Sequence, residues 1–164
     1  MTKTNPTAIL HTMTDLEARL RTVEDRLALQ DALTRYCTAI DSLENVDALL
    51  DCFAEDGTLD LTGIDLPRFE GHEQIRGFFE QVFADMSHHA HFNTNFVVEN
   101  LESDTAHCRA YVMGMGKTHD DREVLVYVKY YLDYIRIGDQ WKIKYFGEAS
   151  LMPLPESVTN IHGR

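Results

Sequence analysis

The sequence predicts an α+β fold: a cone of one curved antiparallel sheet, wrapped by N-terminal helices around a pocket with polar groups in its lining. Two observations carry that prediction. Apolar residues recur at helical spacing through the first half of the chain and in Val-, Tyr-, Phe- and Ile-rich runs through the second. The breaks between the later runs, at Glu102-Ser103-Asp104, His119-Asp120-Asp121 and Gly138-Asp139, are short enough for hairpin connections. Helices first and hairpin-linked strands after give an α+β order, not the βαβ alternation of a parallel sheet. A length of 164 residues suits one domain, and a hydrophobic content of 44% supplies a core.

Residues 1–13 read as a flexible N-terminal tail, 14–152 as a single domain and 153–164 as a C-terminal tail. From Thr14 the spacing of Leu16, Leu20, Val23 and Leu27, then Leu29, Leu33, Tyr36 and Ile40, predicts one helix to about residue 41. Thr14 with Glu17 fits a capping box at its start. This helix is longer than a small domain needs, so its first half packs on a partner subunit or across the mouth of its own domain. Asn45 caps a second helix over 45–53, whose apolar face is Val46, Leu49, Leu50 and Phe53. Glu55-Asp56-Gly57 signals a turn and 58–62 a short strand. Pro67 and Gly71 bracket a loop. Ile75, Phe78, Phe79, Val82 and Phe83 predict a third helix over 72–86. Strands follow at 91–99, 105–116, 123–137 and 140–149.

The formal charge is −12, with 27 acidic and 15 basic residues. No basic stripe is present for nucleic acid. No apolar run approaches a membrane span, and the first residues lack the pattern of a secretory signal. Three cysteines, Cys37, Cys52 and Cys108, form no CxxC pair and read as reduced, buried thiols of a cytoplasmic protein. The composition fits a small-molecule ligand, with neither a nucleic-acid nor a membrane partner.

The pocket side of each long strand repeats every second residue. In the 123–137 strand, Val126, Val128, Tyr130, Leu132 and Tyr134 share a face. In the 105–116 strand, Arg109, Tyr111, Met113 and Met115 do. Tyr and Met walls suit a flat, largely apolar ligand. Asp41 stands at the end of a long helix, where the backbone dipole disfavours a carboxylate. Desolvation and that dipole would raise its pKa toward that of a useful base, whereas a plain turn residue is the alternative. In Ser87-His88-His89-Ala90-His91, alternation puts His89 and His91 on one face. A His-x-His pair can ligate metal, but its third ligand would have to be the distant Glu99, so no metal is assigned. One His as general base needs only a carboxylate to set its tautomer. Tyr36 lies five residues before Asp41, about 140° round the helix, so the two do not stack directly. The sequence carries no nucleophile elbow, P-loop or GxGxxG.

Arg26-Leu27-Ala28-Leu29-Gln30-Asp31, then Arg35-Tyr36 through Ile40-Asp41, resembles the opening helix of the SnoaL-like group in the NTF2-like (cystatin-like) superfamily. His91-Phe92-Asn93-Thr94-Asn95 resembles its His-x-x-Thr-Asn strand, and Trp141-Lys142-Ile143 its last strand. The similarity spans about 16–150 and is nearest in pattern to bile-acid and scytalone dehydratases and hexachlorocyclohexane dehydrochlorinase. It implies that His91 removes a proton from substrate carbon while Asp41 orients and stabilises the imidazolium. It further implies that Tyr36 assists a departing oxygen and that Tyr130 is a pocket aromatic. The dehydrochlorinase has lysine where Tyr36 stands and a pocket arginine near Phe146, which turns the expectation from dehalogenation toward dehydration. The resulting expectation is a cofactor-independent lyase of the dehydratase type, or an isomerase, acting on a small cyclic compound. Asp41, His91 and Tyr36 would do the chemistry, with Tyr130, Tyr111, Met113, Val128 and Phe146 around the substrate. Such cones usually form homo-oligomers, here a dimer or trimer. The alternative is a non-catalytic ligand-binding module or the small subunit of an aromatic-ring dioxygenase, and polyketide cyclisation in the same cone is a third reading.

Overall fold

The computed structural model describes residues 6–156 and Val158, with side chains from Met13 onward. Three helices precede most of a six-stranded sheet. They are α1 (Pro6–Ser42), α2 (Val46–Leu50) and α3 (Gly71–Asp85). The strands are β1 (Phe53–Asp60), β2 (Arg68–Glu70), β3 (Met86–Leu101), β4 (Thr105–Thr118), β5 (Glu123–Ile137) and β6 (Gln140–Ser150). Among the described residues no helix is long and apolar enough to cross a membrane.

The strands lie in the order β2-β1-β6-β5-β4-β3. Every pairing is antiparallel except β1 with β6, which is parallel, so the sheet is mixed where an antiparallel one was expected. The exception follows from topology. β1 ends at Asp60 and β6 begins at Gln140, so no hairpin constrains their relative direction. Glu55-Asp56-Gly57, expected as a turn, lies inside β1, where the register with β6 shifts between Phe53 and Thr58. The extra residues are absorbed as an irregularity of the strand instead of ending it. The Pro67–Gly71 segment likewise holds the short strand β2.

α1 begins at Pro6, well before Thr14, so residues 6–13 continue the helix where a flexible tail was expected. Residues 1–5 lie outside the described residues. Thr14 is therefore interior to the helix and does not mark its start. Proline at the first position suits a helix start, because its missing N–H has no partner to lose there. Leu43, with φ at 54°, ends the helix. Asn45 then caps α2, its Oδ1 accepting from the amides of Asp47 and Ala48 at 2.9 and 3.2 Å. In α3, Ile75, Phe79 and Val82 turn inward.

The core lies between the sheet's inner face and the second half of α1, where Leu29, Ala32, Leu33, Tyr36, Cys37 and Ile40 are buried. Their spacing traces one continuous helical face. Tyr36 packs among Phe53, Tyr130 and Phe146, with ring centroids 5.9, 6.5 and 5.0 Å away. Asp25 of α1 takes a 2.6 Å bond from Arg136 of β5, whose guanidinium lies 4.2 Å from the centre of the Trp141 ring. This contact fixes the helix across the far strands. All three cysteines are buried and free, and burial pushes Cys37 and Cys108 up to about 12 and Cys52 to about 11. They are inert packing groups at neutral pH.

Candidate active site

Asp41 occupies the last turn of α1, and His91 an inward position of β3 opposite Gly114 of β4. Asp41 Oδ1 lies 2.6 Å from His91 Nδ1. The His91 backbone N–H donates to Asp41 Oδ2 at 2.9 Å. One residue thus occupies both carboxylate oxygens and fixes the carboxylate against β3. An ionised carboxylate only accepts hydrogen bonds, so His91 Nδ1 carries the proton and Nε2 presents a lone pair. Gly114 faces that ring: a Cβ there would make an ordinary 3.5 Å contact with Nε2 and a tighter one, 3.2 Å, with Val126.

Partial burial opposes ionisation of Asp41. The bonds from His91 and its nearby ring outweigh that, and hold the carboxyl below its ordinary range. This corrects the expectation of an Asp41 pKa raised toward that of a base: held by His91, the carboxyl stays ionised. His89 stands beside it, its ring 4.8 Å from that of His91 and nearly perpendicular.

A cavity of about 80 Å³ opens beside the pair, walled by α1, α3, the Leu59–Leu66 segment and the sheet. That is room for several waters, or for a compact ring once they leave. Tyr36, Val128, Tyr130, His89 and His91 line it. Phe146 does not reach it. It is wholly buried behind Tyr36 and Tyr130, 4.6 Å from the latter ring, and so supports the wall. Tyr111 and Met113 are also not in the lining. They pair with Lys129 and Tyr127 on the outer face of the sheet, while Cys108, Ala110, Val112 and Gly114 point inward. The inner face of β4 is made of small residues because α1 and the cavity take up the space in front of it. Tyr111 and Met113 are on the outside, whereas Met115, near the end of the strand, lines the cavity as expected.

Val158 and Glu148 are among the lining groups that escaped the sequence reading. Val158, in the expected C-terminal tail, is buried and closes part of the wall. Glu148 of β6 lies directly across from Tyr130 on the inner face. Burial raises its carboxyl from an ordinary 4.5 to about 8, so it is mostly neutral at pH 7. Its signal was alternation: Phe146 and Glu148 are two apart on one strand, and the first is an obvious core residue. Burial, then the Glu148 charge, lifts both Tyr36 and Tyr130 well above the ordinary tyrosine value. Both hydroxyls therefore stay protonated and can donate.

His89, His91 and Asp41 each place one ligand-type atom within 4.8 Å of the others. Glu99, the third ligand weighed for a metal, is instead bonded to Arg109 at 2.6 Å. Both oxygens of Asp41 are engaged by His91 and His91 Nδ1 is a donor, an arrangement that suits a hydrogen-bonded pair better than an ion cage.

The SnoaL-like domain family matches residues 21–147, and the chain belongs to that family. Its fold is that of NTF2-like proteins with a cystatin-like fold. A candidate aromatic ring hydroxylase from Novosphingobium aromaticivorans is 48% identical. The match covers 81% of this chain and 93% of that one, with a TM-score of 0.79. A candidate scytalone dehydratase from N. aromaticivorans is 20% identical over 82% of this chain and 89% of that one, with a TM-score of 0.72. A hexachlorocyclohexane dehydrochlorinase from Novosphingobium barchaimii is 19% identical over 82% and 91%, with a TM-score of 0.70. No curated protein matches the chain.

Proposed function

We propose that the chain is a cofactor-independent lyase of the dehydration type, with isomerisation as the related outcome, acting on a small cyclic compound. The observation that carries the reading is the 2.6 Å Asp41–His91 bond beside a largely apolar cavity. A neutral imidazole is a modest base, so the C–H it attacks is one made acidic by a neighbouring carbonyl. His91 Nε2 takes that proton, and Asp41 stabilises the imidazolium. The carbon–oxygen bond at the β position breaks. The Glu148 carboxyl gives its proton to the departing hydroxyl, which leaves as water, and Tyr36 donates a hydrogen bond to the substrate oxygen. The products are an enone and water, and proton return from His91 to Glu148 resets the site. The size of the cavity points to a single-ring substrate.

The test uses a panel of cyclic β-hydroxy ketones in D2O, followed by NMR for deuterium uptake at the α-carbon and by absorbance for the enone. Wild-type protein is expected to do both. His91→Ala loses both, and Glu148→Gln keeps exchange while losing water release. No exchange by wild-type protein across the panel rejects the base; full elimination by Glu148→Gln rejects only the acid.

The 48% identity to a candidate aromatic ring hydroxylase favours one second reading, a component of a ring-hydroxylating assembly. It predicts stable association with a larger iron–sulfur subunit when the two are co-expressed. Recovery of this chain bound only to itself counts against it.

A further inference from the structure

α1 changes face halfway along its length. Its second half buries Leu29, Leu33, Tyr36 and Ile40 in its own domain. Its first half exposes Met13, Leu16, Leu20, Val23 and Leu27, each 54–62% accessible. At about 100° per residue the centres of these two stripes lie about 150° apart. The polar side of the first half faces home. Thr14, Arg21, Thr22 and Asp25 line a groove against the β3–β4 turn, and Asp25 is the residue that holds Arg136. The apolar stripe therefore points away from its own domain, which overturns the expectation that it crosses the mouth of its own pocket. Five large apolar side chains in a row on the outside of an otherwise polar helix call for a covering surface.

The spacing and the flanking charges say which surface. The steps along the stripe are three, four, three and four residues, the a/d repeat of a coiled coil. The positions just after each d residue hold Glu17 and Glu24, with Asp31 next in that series, and those just before each a residue hold Arg19 and Arg26. In a parallel, in-register pair, Arg19 meets Glu24 of the second copy and Arg26 meets its Asp31. In an antiparallel pair arginine faces arginine and carboxylate faces carboxylate. We propose that the Met13–Leu27 stripe is the seam of a parallel two-stranded coiled coil with a second copy of this chain. The stripe begins upstream of residue 21, where the family match starts, so much of the seam is an addition to the shared domain. Docking of the second half of α1 supplies the helix nucleus that a free segment of this length would lack.

Light scattering on the full chain tests the seam. Leu20→Asp is expected to halve the mass of the wild-type assembly and to abolish the concentration dependence of its melting temperature, while the domain still unfolds cooperatively because residue 20 touches no core. Leu27→Cys is expected to cross-link to its own counterpart under mild oxidation, because this position ends the stripe and meets itself only in a parallel, in-register pair. Arg19→Glu is expected to weaken self-association about tenfold, and Glu24→Lys in the same chain to restore it. A monomeric wild-type chain, or a mass unchanged by Leu20→Asp, overturns the proposal. The same holds if Leu20→Asp instead abolishes binding to lipid vesicles or to another protein while the mass stays constant. Failure to cross-link, or failure of the second charge change to restore pairing, overturns the parallel arrangement.

Discussion

The bond between Asp41 and His91 decides which nitrogen can do chemistry, and that makes each partner separately testable. On the proposed mechanism His91→Ala removes the base and is expected to slow turnover by about 10²- to 10⁴-fold. Asp41→Asn keeps the shape but lets the amide donate to Nδ1, moving the proton to Nε2; a comparable loss in kcat with little change in KM is expected. Glu148 makes a prediction about stability as well as rate. Its folded-state pKa lies above its unfolded value, so between about 4.5 and 8 the folded chain holds a proton that the unfolded chain has lost. Stability therefore falls as pH rises through that window, by at most about 1.4 kcal/mol per pH unit, and levels off above it. Glu148→Gln should remove that slope, which urea melts at pH 5 and pH 8 would show. An unchanged slope in the variant would mean that the carboxyl ionises freely in the folded chain. The Asp41–His91 pairing came from the family resemblance, because in the residues alone Asp41 also reads as a turn residue and His91 as one of a cluster of three histidines. Glu148 was not legible in the sequence, because a single carboxylate near the end of a strand resembles ordinary surface charge until its alternation with Phe146 is followed inward.

At the scale of elements, β3 bends where the sequence motif sits. Asn95 has φ at 52° within the strand, and the register with β4 shifts between Thr94 and Val97. Asparagine tolerates the left-handed region, while a β-branched residue there is strained by about 1–3 kcal/mol. Asn95→Val is expected to lower the melting temperature by several degrees and Asn95→Gly to leave it close to wild type. Equal losses in both would place the value of Asn95 in its side chain instead. The helices and long strands were readable from periodicity, because each buries one face and exposes the other. The facing of β4 was not, since it carries apolar residues on both sides. Tyr111 and Met113 are the larger ones, yet Ala110 and Val112 are the buried ones. Only the helix packed in front of the sheet decides between such faces, and no local pattern reports it.

For the whole molecule, the C-terminal segment belongs to the cavity. Removing residues 153–164 strips Leu154 and Val158 from the core. Loss of the buried valine alone costs about 1.5–3 kcal/mol. The truncated chain should melt lower and show a raised KM, and calorimetry beside a kinetic assay would separate the two effects. An unaltered melting curve would return the segment to the status of a tail. The order of helices and strands in the sequence was enough for the fold class. The parallel partnership of β1 with β6 was not, because nothing near either strand marks a pairing across so long a stretch of chain. That partnership bears on how the protein is made. β6 joins β2-β1 to β5-β4-β3, and it is the last of these six strands to leave the ribosome. Until it emerges, the nascent chain holds two separate pieces of sheet, each with an open edge and half an apolar wall. The Glu148 side of the cavity does not yet exist at that stage. Such late, long-range closure is slow relative to hairpin formation, so the newly synthesised chain is most exposed to aggregation just before its final strand slots into the middle.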